Sequence, residues 1–326
     1  MKITNKFGMP PEMVRTAHAR LYDKGEADIS VTSLLAPPRI NLMLEQHKDV
    51  VAEDVRDLVY SMLGTSFHNL MQEAAEYEQG VISEERIHLE VTGVKVSGQI
   101  DRQVIHRGGV SITDYKVTSV NAYRAKMVAM KQNVRKGLQD QIDWVQQVNL
   151  YAYLVRKARG LPVHDAEVIV LLRDWSKMRA ENDPSYPASP AVSVGIPLYK
   201  EQLQYKFLLG KVAQYKRTKN DLAVMDRLPL CTDEEVWAKP DQWAVMREGG
   251  SRALTIETTR KAAETALATT SGGHRYLEKR PGQRTRCEYY CPVSSVCQQY
   301  ADWKTENEEI NKTLKVIAKI NEKTGK

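Results

Sequence analysis

Gly98-Gln99-Ile100-Asp101 and, beyond a Gly-rich turn, Ser111-Ile112-Thr113-Asp114-Tyr115-Lys116 set two acids and a lysine on what read as neighbouring strands. Side chains alternate along a strand, so Asp114 and Lys116 leave the same face, with Ile112 beside them. Carboxylates bind hard divalent cations through oxygen. An ammonium beside them can hold or deprotonate a water, or offset charge developing on a phosphate. An isolated D-x-K is far more often a surface charge pair, so the surroundings of the motif decide its meaning.

On the upstream side Ile87, Leu89 and Val91 alternate, Thr92-Gly93 turns the chain, and Val94, Val96 and Ile100 alternate into Asp101. Arg107-Gly-Gly109 makes a second turn, and Val110 to Val117 forms a third strand. This pattern predicts an antiparallel meander with its acids, Glu84 and Glu85 included, toward one end. Further upstream Val55, Leu58, Val59, Met62, Leu70 and Met71 recur at three and four residues, the spacing of a long amphipathic helix. That helix carries Gly64-Thr-Ser-Phe-His68, in which the small residue one turn back leaves the imidazole approachable. Most lone helical histidines are nevertheless solvated or satisfied by hydrogen bonds.

Downstream, Ser119 to Ile142 is polar and basic, with Tyr123, Arg124, Lys126, Lys131, Gln132, Arg135 and Lys136. It suits a phosphate backbone and a solvated helix face equally. Trp144, Gln147, Tyr151 and Leu154 then recur at helical spacing, so Gln147 and Tyr151 share a face. They could bond phosphate, base or a metal-ligating carboxylate, or form a half-buried core edge. The apolar run Ala166 to Leu172 predicts a strand buried on both faces, ending in Arg173-Asp-Trp175. Helix and buried strand after a meander imply a mixed α/β sheet.

At the N-terminus a helix is expected around Pro11 to Tyr22, followed by an entry segment stopped by Pro37-Pro38 and a short helix from Ile40 to Gln46. After the Pro-rich loop Asn182 to Pro190, an edge strand is expected from Val192 and a charged helix over residues 200–226. Leu228-Pro-Leu-Cys231 opens a segment with Trp237, Pro240, Trp243 and Arg252 that reads as a small insertion. Residues 254–278 look helical at first and looser around Ser271-Gly-Gly273.

The chain has four cysteines, and Cys287, Cys291 and Cys297 share one short segment. In a reducing compartment such clustering favours metal or iron–sulfur ligation over disulfides, and the lack of a C-x-x-C knuckle tilts the choice from zinc toward a cluster. Cys231 is the remaining candidate for a fourth thiolate. A net charge of +6 and a pI near 8.9 lean toward a polyanionic partner but decide nothing alone. No apolar run approaches bilayer length, and the N-terminus lacks an apolar signal segment, so a cytoplasmic protein is expected.

Taken in order, Gly64…His68, Glu84/Glu85, Gly98-x-x-Asp101, Asp114-Tyr-Lys116 and Gln147-x-x-x-Tyr151 resemble the RecB-like branch of the PD-(D/E)XK nuclease superfamily, above all its phage and prophage exonucleases. Leu172-Arg-Asp-Trp175, Cys231-Thr-x-Glu-Glu-x-Trp237 and the Cys287 to Cys297 element also match, so the likeness runs from about Thr32 to Tyr300. The resemblance implies an α/β restriction-endonuclease-like core, a mixed central sheet flanked by helices, with a helical N-terminal part and a Cys-rich C-terminal element. The corresponding division is 1–50 entry segment, 51–226 nuclease core, 227–270 insertion and 271–326 Cys-rich element with a basic tail.

The resemblance further implies that Asp101 and Asp114 hold Mg²⁺ or Mn²⁺ with His68 and the Tyr115 backbone carbonyl, and that Lys116 positions or activates the attacking water. Glu85, preferred over Glu84, would complete the acids. Gln147 and Tyr151 would contact DNA, assisted by Arg124, Lys126 and Lys131. Cys231, Cys287, Cys291 and Cys297 would carry a 4Fe-4S cluster, with zinc as the alternative.

The implied activity is a metal-dependent DNA exonuclease of phage recombination, replication or repair in the bacterial host cytoplasm. A phage recombinase or single-strand-binding protein is a candidate partner, a homo-oligomer is open, and no membrane is involved. An endonuclease of the same family and a catalytically silent DNA-binding accessory protein are the alternatives. Two departures stand out: Ile100 replaces the proline of the superfamily name, and no cysteine precedes residue 231, whereas iron–sulfur relatives take their first thiol upstream of the His motif.

Overall fold

Thr92 and Gly93 both take positive φ, 48° and 78°, the left-handed pair that a two-residue hairpin turn requires. Val91 is thereby paired with Val94, and the meander starts from this turn. The structure is a computed structural model that describes residues 2–19, 26–220, 228–271 and 273–324. In order, the chain runs β1 (Lys2–Thr4), α1 (Pro11–Ala19), β2 (Ile29–Ser30), α2 (Val31–Leu35), α3 (Pro38–Gln46), β3 (Ala52–Asp54), α4 (Val55–Ala75), β4 (Val81–Val91), β5 (Val94–His106) and β6 (Gly109–Thr118). It continues with α5 (Val120–Gln132), α6 (Asp143–Arg159), β7 (Val163–Leu172), α7 (Lys177–Asn182), β8 (Ala191–Gly195) and α8 (Glu201–Asn220). The helices predicted to reach Tyr22 and residue 226 have their last residues outside the described part of the chain.

These elements up to Leu228, with residues 42–51 set aside, form one compact unit around a six-stranded mixed sheet. Its order is β2-β5-β6-β7-β8, with β4 on β5. β4, β5 and β6 are the antiparallel meander, β6 and β7 are parallel, and β8 is the antiparallel edge strand. The parallel step from β6 to β7 is made through α5 and α6, as a crossover demands. Asp174, at the end of β7, accepts the Val120 N–H at 2.7 Å and so pins the first turn of α5, where an acid is also favoured by the helix dipole.

The feature that creates the site is a fork. β4 covers one edge of β5 along its length, so β2 and β6 must share the other. β6 pairs with β5 only from Arg102↔Thr113 to His106↔Gly109, and β2 pairs at Val96 and Ser97. Asp101 and Asp114 are the first residues past the last β5–β6 pair, where the two strands part.

α6 closes over this region. Val145, Val148, Leu150, Ala152, Leu154 and Val155 on it are fully buried. Its approach depends on Gly98, where a Cβ would lie 2.6 Å from Leu154 Cδ1 and 3.1 Å from Tyr151 Cδ1. Gly98→Ala is expected to lower stability by about 1–3 kcal/mol through overpacking, read as a reduced urea midpoint at unchanged m-value. An unchanged midpoint would show that α6 shifts freely. Behind α6, fully buried Asn149 donates to the carbonyls of Val145 and Pro197 and accepts from Tyr199 N–H and Gln204 Nε2, all at 2.8–2.9 Å. Every valence of this buried amide is met, as a low-dielectric site requires.

The second unit comprises Leu42–Val51 and Pro229–Lys326. It contains β9 (Gln242–Arg247), β10 (Ala253–Glu257), α9 (Arg260–Thr269), β11 (Arg275–Arg280), α10 (Thr285–Tyr289) and α11 (Gln298–Thr324). The strands form an antiparallel sheet of order β10-β9-β11, with Val245, Ala263 and Leu277 as its core. This corrects the sequence reading of residues 254–278. Only Arg260–Thr269 of the stretch 254–278 is helical, with β10 before it and β11, which pairs with β9 along its whole length, after it. The Ala-rich helix signal of 261–268 overrode flanking strands too short to show more than a few alternations. Among the described residues, no helix is long and apolar enough to cross a membrane.

Candidate active site

α4 delivers His68 to the fork. The helix is anchored at its start by Asp54, whose carboxylate accepts Arg56 N–H at 3.1 Å, Thr4 Oγ1 at 2.9 Å and Lys6 N–H at 2.7 Å, a side-chain N-cap. The His68 ring meets Tyr115 edge-on at 5.9 Å. Its Nδ1 lies 3.2 Å from Glu84 Oε1 and 3.5 Å from Asp101 Oδ1, and its Nε2 lies 3.1 Å from the Tyr115 carbonyl. All three neighbours accept hydrogen bonds, so both ring nitrogens carry protons. Burial opposes that charge, but the bonds and charges of Asp101 and Glu84 outweigh it and raise the His68 pKa to about 10. A cation already sits among these oxygens.

Asp101 spans the fork: its Oδ2 accepts the Tyr115 N–H at 2.6 Å, replacing the strand partner that β5 no longer offers. Glu84 is held opposite it, because the pairs Ser83↔Arg102 and Glu85↔Ile100 bracket the two acids. Glu84 has a φ of 52°, a costly conformation for a side-chain-bearing residue that persists where the surroundings enforce it. Gln99 donates to Glu84 Oε2 at 2.6 Å and accepts from Arg86 at 2.6 Å, which orients the carboxylate toward His68.

Among the described residues, His68, Glu84 and Asp101 are the group that offers three metal-ligating atoms within 4.8 Å of one another. Oxygen and nitrogen ligands about 2.0–2.2 Å from a Mg²⁺ or Mn²⁺ ion span such distances, so these residues fit a divalent cation. Asp114, 1% exposed, sits beside them with Oδ2 2.7 Å from Lys116 Nζ. Burial lifts the Asp114 pKa to about 6 against the pull of Lys116, and the Asp101 charge adds to the rise. For Lys116, burial opposes the charge, but Asp114 and Asp101 hold the pKa above the ordinary lysine value. About a quarter of the His68 and Lys116 side chains remains exposed, so the group opens to solvent rather than into a sealed core.

Of the other expected residues, Tyr151 is buried with its phenol in the field of Asp114 and Lys116, and burial raises its pKa. Gln147 Nε2 donates to that phenol at 2.8 Å. Arg124 and Lys131 are exposed on α5, Arg124 bonding Ser185 at 3.2 Å. Lys126 pairs with Asp143 and lies 5.0 Å above the Trp144 ring.

Glu85 is corrected. It accepts from Gln103 at 2.7 Å and pairs with Arg159 of α6, turned away from His68. The strand period contained the answer: Glu85 has the parity of Ile87 and Val91, which are buried, so Glu84 faces the other way. Glu84→Gln is therefore expected to weaken Mn²⁺ binding about tenfold or more, whereas Glu85→Gln leaves it within twofold, as titration calorimetry would read. Equal losses would reject the assignment. Gln99, Arg86 and Arg159 were not singled out in the sequence, although Gln99 lies within the motif.

In the second unit, the segments carrying the cysteines run side by side. Lys239 N–H donates to Gln283 O at 2.8 Å and Arg286 N–H to Val236 O at 3.1 Å. Gly282 makes room for this, since a Cβ there would meet Lys239 O at 1.7 Å. Cys231 is tied by two backbone bonds, 2.9 and 2.8 Å, to the amide of Gln299, next to Cys297. Burial raises the thiols, Cys231 to about 12 and Cys287 to about 11, and the neighbouring thiols add to the rise. Every pair among Cys231, Cys287, Cys291 and Cys297 is close enough to interact electrostatically. Among the described residues, no three of the four sulfurs lie within 4.8 Å of one another.

A family model described as the PD-(D/E)XK nuclease superfamily matches residues 19–298. A solved structure described as the crystal structure of SSO0001 is similar with a TM-score of 0.39 and 15% identity, covering 62% of this chain and 82% of that one; so distant a likeness bears on neither fold nor chemistry. No curated protein matches.

Proposed function

The chain belongs to the PD-(D/E)XK nuclease superfamily, and from that premise we propose that it is a metal-dependent DNA exonuclease of phage DNA recombination, replication or repair. The observation that carries the reading is the convergence of His68, Glu84 and Asp101 beside the Asp114–Lys116 pair. His68, Glu84, Asp101 and the Tyr115 carbonyl would hold Mg²⁺ or Mn²⁺, with Asp114 as a further ligand from β6. Held there, such a cation would supply Lewis-acid activation of a water and offset charge developing on the phosphate. Lys116, kept protonated by Asp114, orients the attacking water and donates to a phosphate oxygen as negative charge builds there. Gln147 holds the Tyr151 phenol toward the same pocket, where it can donate to the DNA strand.

A time course with Mg²⁺ or Mn²⁺ on end-labelled linear and on circular DNA tests the reading. Mononucleotide release from ends, with circles intact, is the expected result. Nicked circles would make the protein an endonuclease. Absence of cutting on both would leave the accessory DNA-binding reading, which the retention of Asp101, Asp114 and Lys116 together disfavours.

For the cysteines we infer a 4Fe-4S cluster rather than zinc. Three thiols within eleven positions and the lack of a C-x-x-C knuckle favour a cluster over a tetrahedral zinc site. The cluster would join the 231–239 and 283–297 segments. Anaerobically purified protein should be brown with absorbance near 400 nm; a colourless, zinc-loaded sample would overturn the assignment.

A further inference from the structure

The two segments that carry the cysteines also carry aromatic side chains that the fold leaves in solvent. Trp237, Tyr289 and Tyr290 are 48%, 65% and 66% exposed. Their rings form a row, with Trp237 to Tyr290 at 5.4 Å and Tyr290 to Tyr289 at 6.4 Å. The Arg286 guanidinium lies 5.3 Å from the Trp237 ring. Large aromatics are normally turned inward, and three adjacent exposed ones mark a binding surface.

The row is also held rigidly. Trp237 has a φ of 52°, a left-handed conformation that a tryptophan takes only under constraint. The constraint is visible: Ala238 N–H donates to Asp233 O at 2.8 Å, and Arg286 N–H bonds Val236 O at 3.1 Å. Strain spent on keeping an indole in water has no use in packing.

We propose that this row is a stacking platform for the unpaired bases of a single DNA strand. Exposed π-faces in series beside a guanidinium match successive bases, each of which has a π-face whatever its identity. Arg286, held by a 3.2 Å bond from its guanidinium to the Glu235 carbonyl, is the cation placed beside the Trp237 ring to meet a phosphate. The proposal rests on DNA as the substrate and adds that one strand is held unpaired by the Cys-rich unit.

The test uses the full chain and a 5′-labelled oligo-dT, with Ca²⁺ replacing Mg²⁺ to keep the strand intact, followed by anisotropy. Trp237→Ala and Tyr290→Ala are each expected to weaken binding about fivefold or more, while Trp237→Phe retains most of it. Circular dichroism and the unfolding midpoint check that the variants fold. Equal affinity of folded Trp237→Ala and the parent overturns the platform and leaves the row to a protein partner. Failure of the parent to bind oligo-dT while it degrades duplex overturns the platform but not the nuclease reading; binding of oligo-dT without cutting of any DNA does the reverse.

Discussion

Asp114→Ala is expected to lower the single-turnover rate of DNA cleavage about a thousandfold or more at saturating Mn²⁺. Asp114 is the most deeply buried acid of the group, yet it stands 2.7 Å from the one ammonium beside it. Its removal takes away the ligand proposed on β6 and releases the charge that keeps Lys116 protonated. Lys116→Ala removes the donor proposed for the developing phosphate charge and is expected to cost about a hundred- to a thousandfold. Because the two side chains act as one unit, the double variant should be hardly slower than the worse single one. DNA binding in Ca²⁺ should survive in all three, which separates loss of chemistry from loss of fold. Cleavage by Asp114→Ala at the parent's rate would remove the active-site assignment altogether.

How much of this was legible in the residues follows from what each signal depends on. The meander was readable because its turn chemistry and its alternation are local: Thr92-Gly93 fixes the pairing of Val91 with Val94, and the rest of the ladder follows. β7 was readable from an apolar run interrupted only by Glu167, and α6 from its spacing. The fork was not, since it arises where β5 exchanges β6 for β2, a strand of two residues more than sixty positions away. The choice between Glu84 and Glu85 was available in principle from parity. The alternation, however, breaks nearby: a Cβ on Gly98 would meet Leu154 of α6, and Gln103 also bonds Arg159 of α6 at 3.0 Å. Two residues an odd number apart therefore face the same helix, and a strict period of two cannot be carried through Asp101. The small sheet β10-β9-β11 was missed for the opposite reason, since its strands are so short that neighbouring helix propensity dominated.

The affinity for Mn²⁺ should rise with pH over the range 6.5–8.5, approaching tenfold per unit. In the metal-free protein His68 has its pKa raised to about 10 by Asp101 and Glu84, against the effect of burial. It is therefore an imidazolium throughout that range, and ligation requires the neutral ring. Binding must expel one proton, so the apparent constant falls tenfold for each unit that pH drops below 10, until the bound state itself is protonated. Asp114, raised to about 6, is ionised above 6.5 and adds a second proton only below that window, where the fall steepens.

The same shift carries an opposite sign for folding. A raised imidazole pKa contributes stability that is complete below about 6.5, the ordinary histidine value, and is lost as pH climbs toward 10. Metal-free protein should thus lose thermal stability across the window in which Mn²⁺ stabilises it most. Calorimetric titrations at pH 6.5, 7.5 and 8.5, each in two buffers of different ionisation heat, count the protons released. His68→Ala should flatten the slope while retaining weak binding through Glu84 and Asp101. Mn²⁺ affinity independent of pH, with no proton released, would mean that the imidazolium does not give way to the metal and that His68 is no ligand.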